Sequence, residues 1–216
     1  MDREFFVASA VDVAPRLLGA VLGLQGPDGA VRLRITEVEA YSGLGNPGPY
    51  DPGSHARDRK TERNASMFLG PGHAYVYVSY GMHFALNLVC SPEGTASGVL
   101  IRSGEVIRGH DIARARRLAK QPPSSHRSTL SVRELARGPG NLATALGINR
   151  SEHNGLDVLA PPFILEAPER CAQGFASGPR VGVSGIAGGP EFPWRFWLPG
   201  NNTVSAFKPG RNAPRA

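Results

Sequence analysis

The sequence predicts a single α+β domain, mixed in helix and strand, in which the helices are short. Three observations point there. The 216 residues fit one domain, and no shift in composition divides them. The 27 glycines and 19 prolines demand many turns and leave little room for long helix. Apolar residues in several stretches recur with the two-residue period of a strand.

Val13 to Leu22 has apolar residues at helical spacing and ends near Gly23, which predicts a short first helix. Val31 to Tyr41 reads as a strand. Residues 42–64 contain Gly43, Gly45, Pro47, Gly48, Pro49, Pro52 and Gly53 and cannot be regular. A loop of that length in a compact domain is functional or disordered. Gly70-Pro71-Gly72 then turns the chain into a strand over Ala74–Ser79, with His83–Val89 as its partner. On both strands the even positions are apolar: Ala74, Val76 and Val78, then Phe84, Leu86 and Leu88. Core must face core, so even pairs with even, and the connection must be odd. A three-residue Tyr80-Gly81-Met82 loop with Gly81 in the left-handed region meets that need. Tyr77 and Asn87 then share the opposite face, and Tyr80 projects from the tip.

Further along, Gly98–Ser103 reads as a strand, followed by a basic helix from about His110 to Ala119. Gln121–Ser131 is expected to be a flexible loop. Gly138-Pro139-Gly140-Asn141 opens a short helix, with Pro139 suited to its first turn. Arg180–Ser184, Trp194–Leu198 and Val204–Phe207 read as late strands, and the tail 208–216 is expected to fray.

The formal net charge is +6 and the sequence pI about 9.8. That balance favours a polyanionic partner. Nearly all the positive charge is arginine, with lysine only at Lys60, Lys120 and Lys208; arginine suits phosphate contacts and stacking, but the bias alone decides little. Cys90 and Cys171 form no metal-ligand spacing, and the six histidines show no paired-ligand pattern. No metal and no cofactor are expected. The N-terminus lacks a basic region before an apolar run, so it reads as neither signal peptide nor membrane span. A soluble protein of the cytoplasm is expected.

The stretch from Arg34 to Val89 carries the chemistry. Glu39 lies two residues from Tyr41, which on a strand puts both side chains on one face; Tyr75, Tyr77 and Tyr80 follow. An acid among clustered aromatics in an arginine-rich chain suggests a protein that stacks a base and hydrolyses something attached to it. Glu37 shares that strand face and competes for the role of the acid.

These residues carry a resemblance. RLLG, TEVEAY, SHARDRKTERN, MFLGPGHAYVYVSYGMHFALN, GVLIR, ARGPGNLATALGIN and RVGVS occur in order across roughly Leu17 to Ser205. The chain resembles the alkyladenine (3-methyladenine, or N-methylpurine) DNA glycosylases of the single-domain bacterial and vertebrate type. The resemblance implies a curved, mainly antiparallel sheet from which a β-hairpin protrudes. It implies excision of alkylated or deaminated purines from double-stranded DNA. Glu39 matches the general base that activates a water against C1′ of the sugar; a carboxylate also suits a transition state of oxocarbenium character. Arg102 matches an arginine close to the attacking water and to the target nucleotide's phosphate. Tyr41, His55 and Tyr77 match the walls around the flipped base. Asn87 matches a gate against the 2-amino group of guanine, and Val181 a residue acting through its backbone. Tyr80 matches the wedge that fills the gap left by the flipped nucleotide. Gly81, Met82, Arg57, Arg59 and Arg63 are expected at the DNA backbone or groove. One departure is the loop between Tyr41 and His55, longer here than in the vertebrate members, which bears on lesion choice.

No lysine neighbours Glu39 in sequence, so base excision without Schiff-base strand cleavage is expected. A monomer is expected, since this mode of action needs no partner chain. Two other readings compete. A non-catalytic binder of damaged or single-stranded nucleic acid would function without Glu39. A small-molecule nucleoside hydrolase would act on free nucleosides, and leaves the tyrosine tip and basic balance unexplained.

Overall fold

The computed structural model describes residues 1–79, 81–121, 128–168 and 174–214. Its centre is an antiparallel sheet whose strands are β1 (Val21–Gly26), β2 (Gly29–Ser42), β3 (Ala74–Ser79), β4 (His83–Val89), β5 (Ser97–Arg108), β6 (Phe163–Glu166), β7 (Ala176–Gly178) and β8 (Arg195–Trp197). The main path runs β3-β4-β5-β2-β1-β6, and β8 joins β2 with β7 beside it. Helices α1 (Ala10–Arg16), α2 (His110–Ala119), α3 (Pro139–Leu146) and α4 (Arg150–His153) are short, as the turn-rich composition requires.

The sheet has two unlike faces, and strand alternation assigns residues to them. Val38, Ala40, Val76, Leu86, Leu88, Val99 and Ile101 join the main core, together with Val13 and Ala14 of α1 and Leu142 and Leu146 of α3. Their alternates Glu39, Tyr41, Tyr75, Tyr77, Asn87, Leu100 and Arg102 face the other way. There a smaller apolar cluster of Met67, Phe68, Tyr75 and Val89 supports them. β2 is buried continuously from Ile35 to Ala40, because it is covered on both faces.

The β3–β4 hairpin pairs as its alternation requires: Val76 opposite Leu86, Val78 opposite Phe84, and Ser79 opposite His83. Three residues connect the strands, and Gly81 has φ +69°. Tyr80 itself lies outside the described residues, as do 122–127 of the loop expected to be flexible. α2 runs His110–Ala119, and Pro139 occupies the first turn of α3.

Several expectations need correction. The first helix spans Ala10–Arg16, capped by the Ser9 side chain, and ends before Leu22. Gly19, at φ +85°, turns the chain, and Val21–Gly26 pairs with β2 instead. A short apolar run is ambiguous between helix and strand until its partner is known. β5 continues past Ser103 to Arg108, through Gly104, which sits opposite Ile35 where the register with β2 shifts. Arg180–Ser184 is a turn rather than a strand, with Gly182 at φ +71°. The late strand around Trp194 narrows to Arg195–Trp197, and Val204–Phe207 forms none, because Ser205 bonds to the Glu37 side chain instead of a ladder. β6 and β7 are too short to stand out in sequence. Past the last strand, the Lys208 and Arg211 carbonyls accept from Gly182 and Gly185 N–H.

Candidate active site

Register alone brings four strands together at the site. Glu39 lies opposite Leu100, Leu100 opposite Asn87, and Asn87 opposite Tyr75, a row across β2, β5, β4 and β3. Around this row Tyr41, His55, Tyr77, Asn87, Arg102 and Val181 line a cavity of about 870 Å³. Glu39 lies behind that lining, fully buried. Its Oε2 accepts from the Tyr41 hydroxyl at 2.8 Å and from an Arg102 nitrogen at 3.4 Å. Its Oε1 accepts from the Val181 backbone N–H at 2.6 Å. Burial, and then the charge of Glu39, push the Tyr41 phenol well above its ordinary value, so it remains a donor.

Glu37, the competing acid, occupies a different environment. Its carboxylate accepts from Arg102 at 3.1 Å, Arg195 at 2.7 Å, the Ser103 hydroxyl at 2.8 Å, and both the N–H and hydroxyl of Ser205. Burial acts to raise this carboxyl, but Arg102, Arg195 and the hydrogen bonds outweigh it, and Glu37 lies below the usual carboxylate range. With its acceptor sites filled, Glu37 has no room for a water or substrate. It anchors Arg102, which bridges the two acids.

The aromatic wall is assembled from a strand and the irregular segment. The rings of His55 and Tyr77 meet edge to face at 4.6 Å, and Tyr75 and Tyr77 stack at 5.6 Å. His55 Nδ1 is 3.0 Å from the Tyr75 hydroxyl. His55 is exposed as a residue, but its ring packs against Tyr75 and Tyr77; desolvation there, and then the charges of Arg63 and Arg57, lower the imidazole below its ordinary value, so it is neutral at neutral pH. The buried Asn64 holds the segment in place, donating to the carbonyls of His55 and Arg59 and accepting from Thr61 N–H. Asn87 is also buried, and its amide donates to the Tyr75 carbonyl at 3.1 Å.

A family model described as Methylpurine-DNA glycosylase (MPG) matches residues 4–202 of this chain. The chain belongs to the methylpurine-DNA glycosylase family. A relative from Leifsonia xyli subsp. xyli is 50% identical over 206 residues, covering 95% of this chain and 92% of its own length. One from Streptomyces avermitilis is 47% identical over 212 residues, covering 96% and 92%. One from Nocardia farcinica is 44% identical over 216 residues, covering 99% and 94%. Each bears the provisional name of a 3-methyladenine DNA glycosylase. Membership of the methylpurine-DNA glycosylase family makes this chain a hydrolase of N-glycosidic bonds.

Other parts of this candidate site were not legible in sequence. The fully buried Arg180 forms a two-pronged pair with Asp51 at 2.6 and 2.7 Å. It also donates to the carbonyls of Ala40 and Ala187, and its guanidinium lies 4.6 Å from the Tyr41 ring centre. Arg180 thus ties the long loop to the peptide between Glu39 and Tyr41, and its own next residue supplies the Val181 N–H. Only the adjacency of Arg180 to Val181 hinted at this. Of the expected DNA contacts, Met82 is 66% exposed at the hairpin. Arg57 is engaged within its own loop, donating to Asp58 and to the Pro52 carbonyl. Among the described residues no helix is long and apolar enough to cross a membrane.

Proposed function

We propose that this glycosylase excises alkylated or deaminated purines, of the 3-methyladenine, 7-methylguanine, hypoxanthine and ethenoadenine class, from double-stranded DNA. The damaged nucleotide turns out of the duplex into the cavity. Glu39 takes a proton from a water that attacks C1′ as the N-glycosidic bond breaks, leaving an abasic site and the free base. One observation carries the reading: the Glu39 carboxylate is held by three donors directly behind an aromatic-lined cavity. A carboxylate has about four acceptor positions, so the three donors leave one for water, on Oε1. The same negative charge stabilises the oxocarbenium character developing on the sugar. Arg102 lies nearer Glu37, at 3.1 Å, than Glu39, at 3.4 Å.

The pocket residues have matching roles in this reading. Tyr41, Tyr77 and the neutral His55 offer π faces, which replace the stacking lost on flipping and favour a purine made cationic by alkylation. The Asn87 amide, fixed by its bond to Tyr75, cannot swing aside and so excludes the 2-amino group of normal guanine. Tyr80, at the hairpin connection, fills the vacated stack, with Gly81 and Met82 beside it against the groove.

Lys208 is the lysine that lines the cavity among the described residues. Excision without strand cleavage requires that its amine form no Schiff base with the sugar. The test is release of hypoxanthine, and separately of 3-methyladenine, from duplex oligonucleotides in the presence and absence of borohydride. The expected result is free base, strand breakage only after alkali, and no trapped protein–DNA adduct. A protein that binds both duplexes and releases neither base is the non-catalytic binder; a borohydride adduct would mark a lyase.

A further inference from the structure

We infer that the C-terminal segment Lys208–Arg211 is a wall of the nucleotide pocket whose two cations bind phosphates of the DNA strand carrying the flipped nucleotide. The inference rests on the function proposed above. The segment lies beyond residues 4–202, the span matched by the family, yet it borders the same cavity as Tyr41 and His55. It is fastened there at both ends. Gly182 N–H donates to the Lys208 carbonyl at 2.8 Å, and Gly185 N–H to the Arg211 carbonyl at 2.9 Å. Between these ties Gly210 approaches Val183 so closely that a β-carbon would sit 1.9 Å from its carbonyl oxygen. The first tie lands on the turn at Val181, the donor to Glu39, and the second on Gly185, four residues farther on.

Charge gives the segment a ligand. Lys208 and Arg211 are exposed, and with Arg63 and Arg102 they put four cations around the cavity. Among the described residues no Asp or Glu lines it. Arg102 is paired with Glu37 and Glu39, whereas Arg63, Lys208 and Arg211 make no ion pair among the described residues. A cleft lined by one sign of charge attracts the opposite charge. When the base enters the cavity, the flanking phosphates are the anions left at its mouth. Phosphate contacts of this kind position the strand without reading its sequence.

The test is binding of a duplex carrying a stable abasic-site analogue, followed by fluorescence anisotropy across a series of KCl concentrations. The parent is compared with Lys208→Ala/Arg211→Ala and with the charge-conserving Lys208→Arg/Arg211→Lys. Each phosphate contact contributes about 0.9 to the log–log salt slope in duplex DNA. The alanine variant is therefore expected to lose about two from the slope magnitude, and the charge-conserving variant to retain the parent's slope. An unchanged slope in the alanine variant overturns the inference, and so does an equal loss in both variants, which would assign the effect to packing. Base release by the parent is measured in parallel. A parent that binds with a steep slope but releases no base defeats the proposed function rather than the phosphate assignment.

Discussion

At the scale of single residues, two neighbouring acids differ because their partners differ. Glu37 is saturated by five hydrogen bonds, whereas Glu39 keeps an acceptor position beside the cavity. His55 supplies a pH signature. An unfolded imidazole titrates near 6.5, at about the ordinary value, and desolvation against Tyr75 and Tyr77 holds the folded one lower, although part of His55 is exposed. The fold therefore favours the neutral ring. Its contribution to stability is complete above about pH 6.5 and is lost as pH falls through the lower folded value. Urea unfolding midpoints should fall between pH 7 and pH 5, and His55→Gln should shrink that fall; an undiminished fall in the variant would contradict the assignment. The gate proposed for Asn87 carries a selectivity prediction. Asn87→Ala should raise the release of unmodified guanine relative to hypoxanthine by roughly tenfold or more, the scale of discrimination one misfitting group provides. Quantifying guanine released from undamaged duplex checks this, and no increase would remove Asn87 from the gate.

At the scale of elements, the site is a product of strand register and of one buried ion pair. The hairpin partners, the helix from His110 and the Pro139 start were legible because local periodicity and turn chemistry specify them. The row Glu39–Leu100–Asn87–Tyr75 was legible only in part. Alternation shows which face each residue takes, but not which strands lie side by side. The chain from Arg180 to Phe207 was the least legible, since its residues bond to side chains of distant segments: Arg180 to Asp51 in the long loop, Ser205 to Glu37 on β2. No local pattern encodes such partners. The Asp51–Arg180 pair also carries a stability prediction. Removing one partner of a buried pair leaves an uncompensated charge and costs about 3–5 kcal/mol. Asp51→Ala should lower the unfolding free energy by that much in urea titration, and a loss below about 1 kcal/mol, the scale of a surface pair, would show that the pair is not holding the loop.

At the scale of the whole molecule, one sheet serves two purposes. Its inner face joins α1 and α3 in the main core, and its outer face holds the acid, the aromatic wall and the arginines around one cavity. The net charge of +6 favours an anionic substrate such as DNA, and on the inference above the cations at the cavity would direct it. The most direct measurement is single-turnover release of hypoxanthine from a duplex oligonucleotide by the parent and by Glu39→Gln, with binding of the same duplex measured for both. If Glu39 is the general base, as proposed, its loss is expected to slow release by about 10²–10⁴-fold, with binding preserved because Glu39 lies behind the lining. A variant that releases the base as fast as the parent would contradict the account and remove Glu39 from the chemistry.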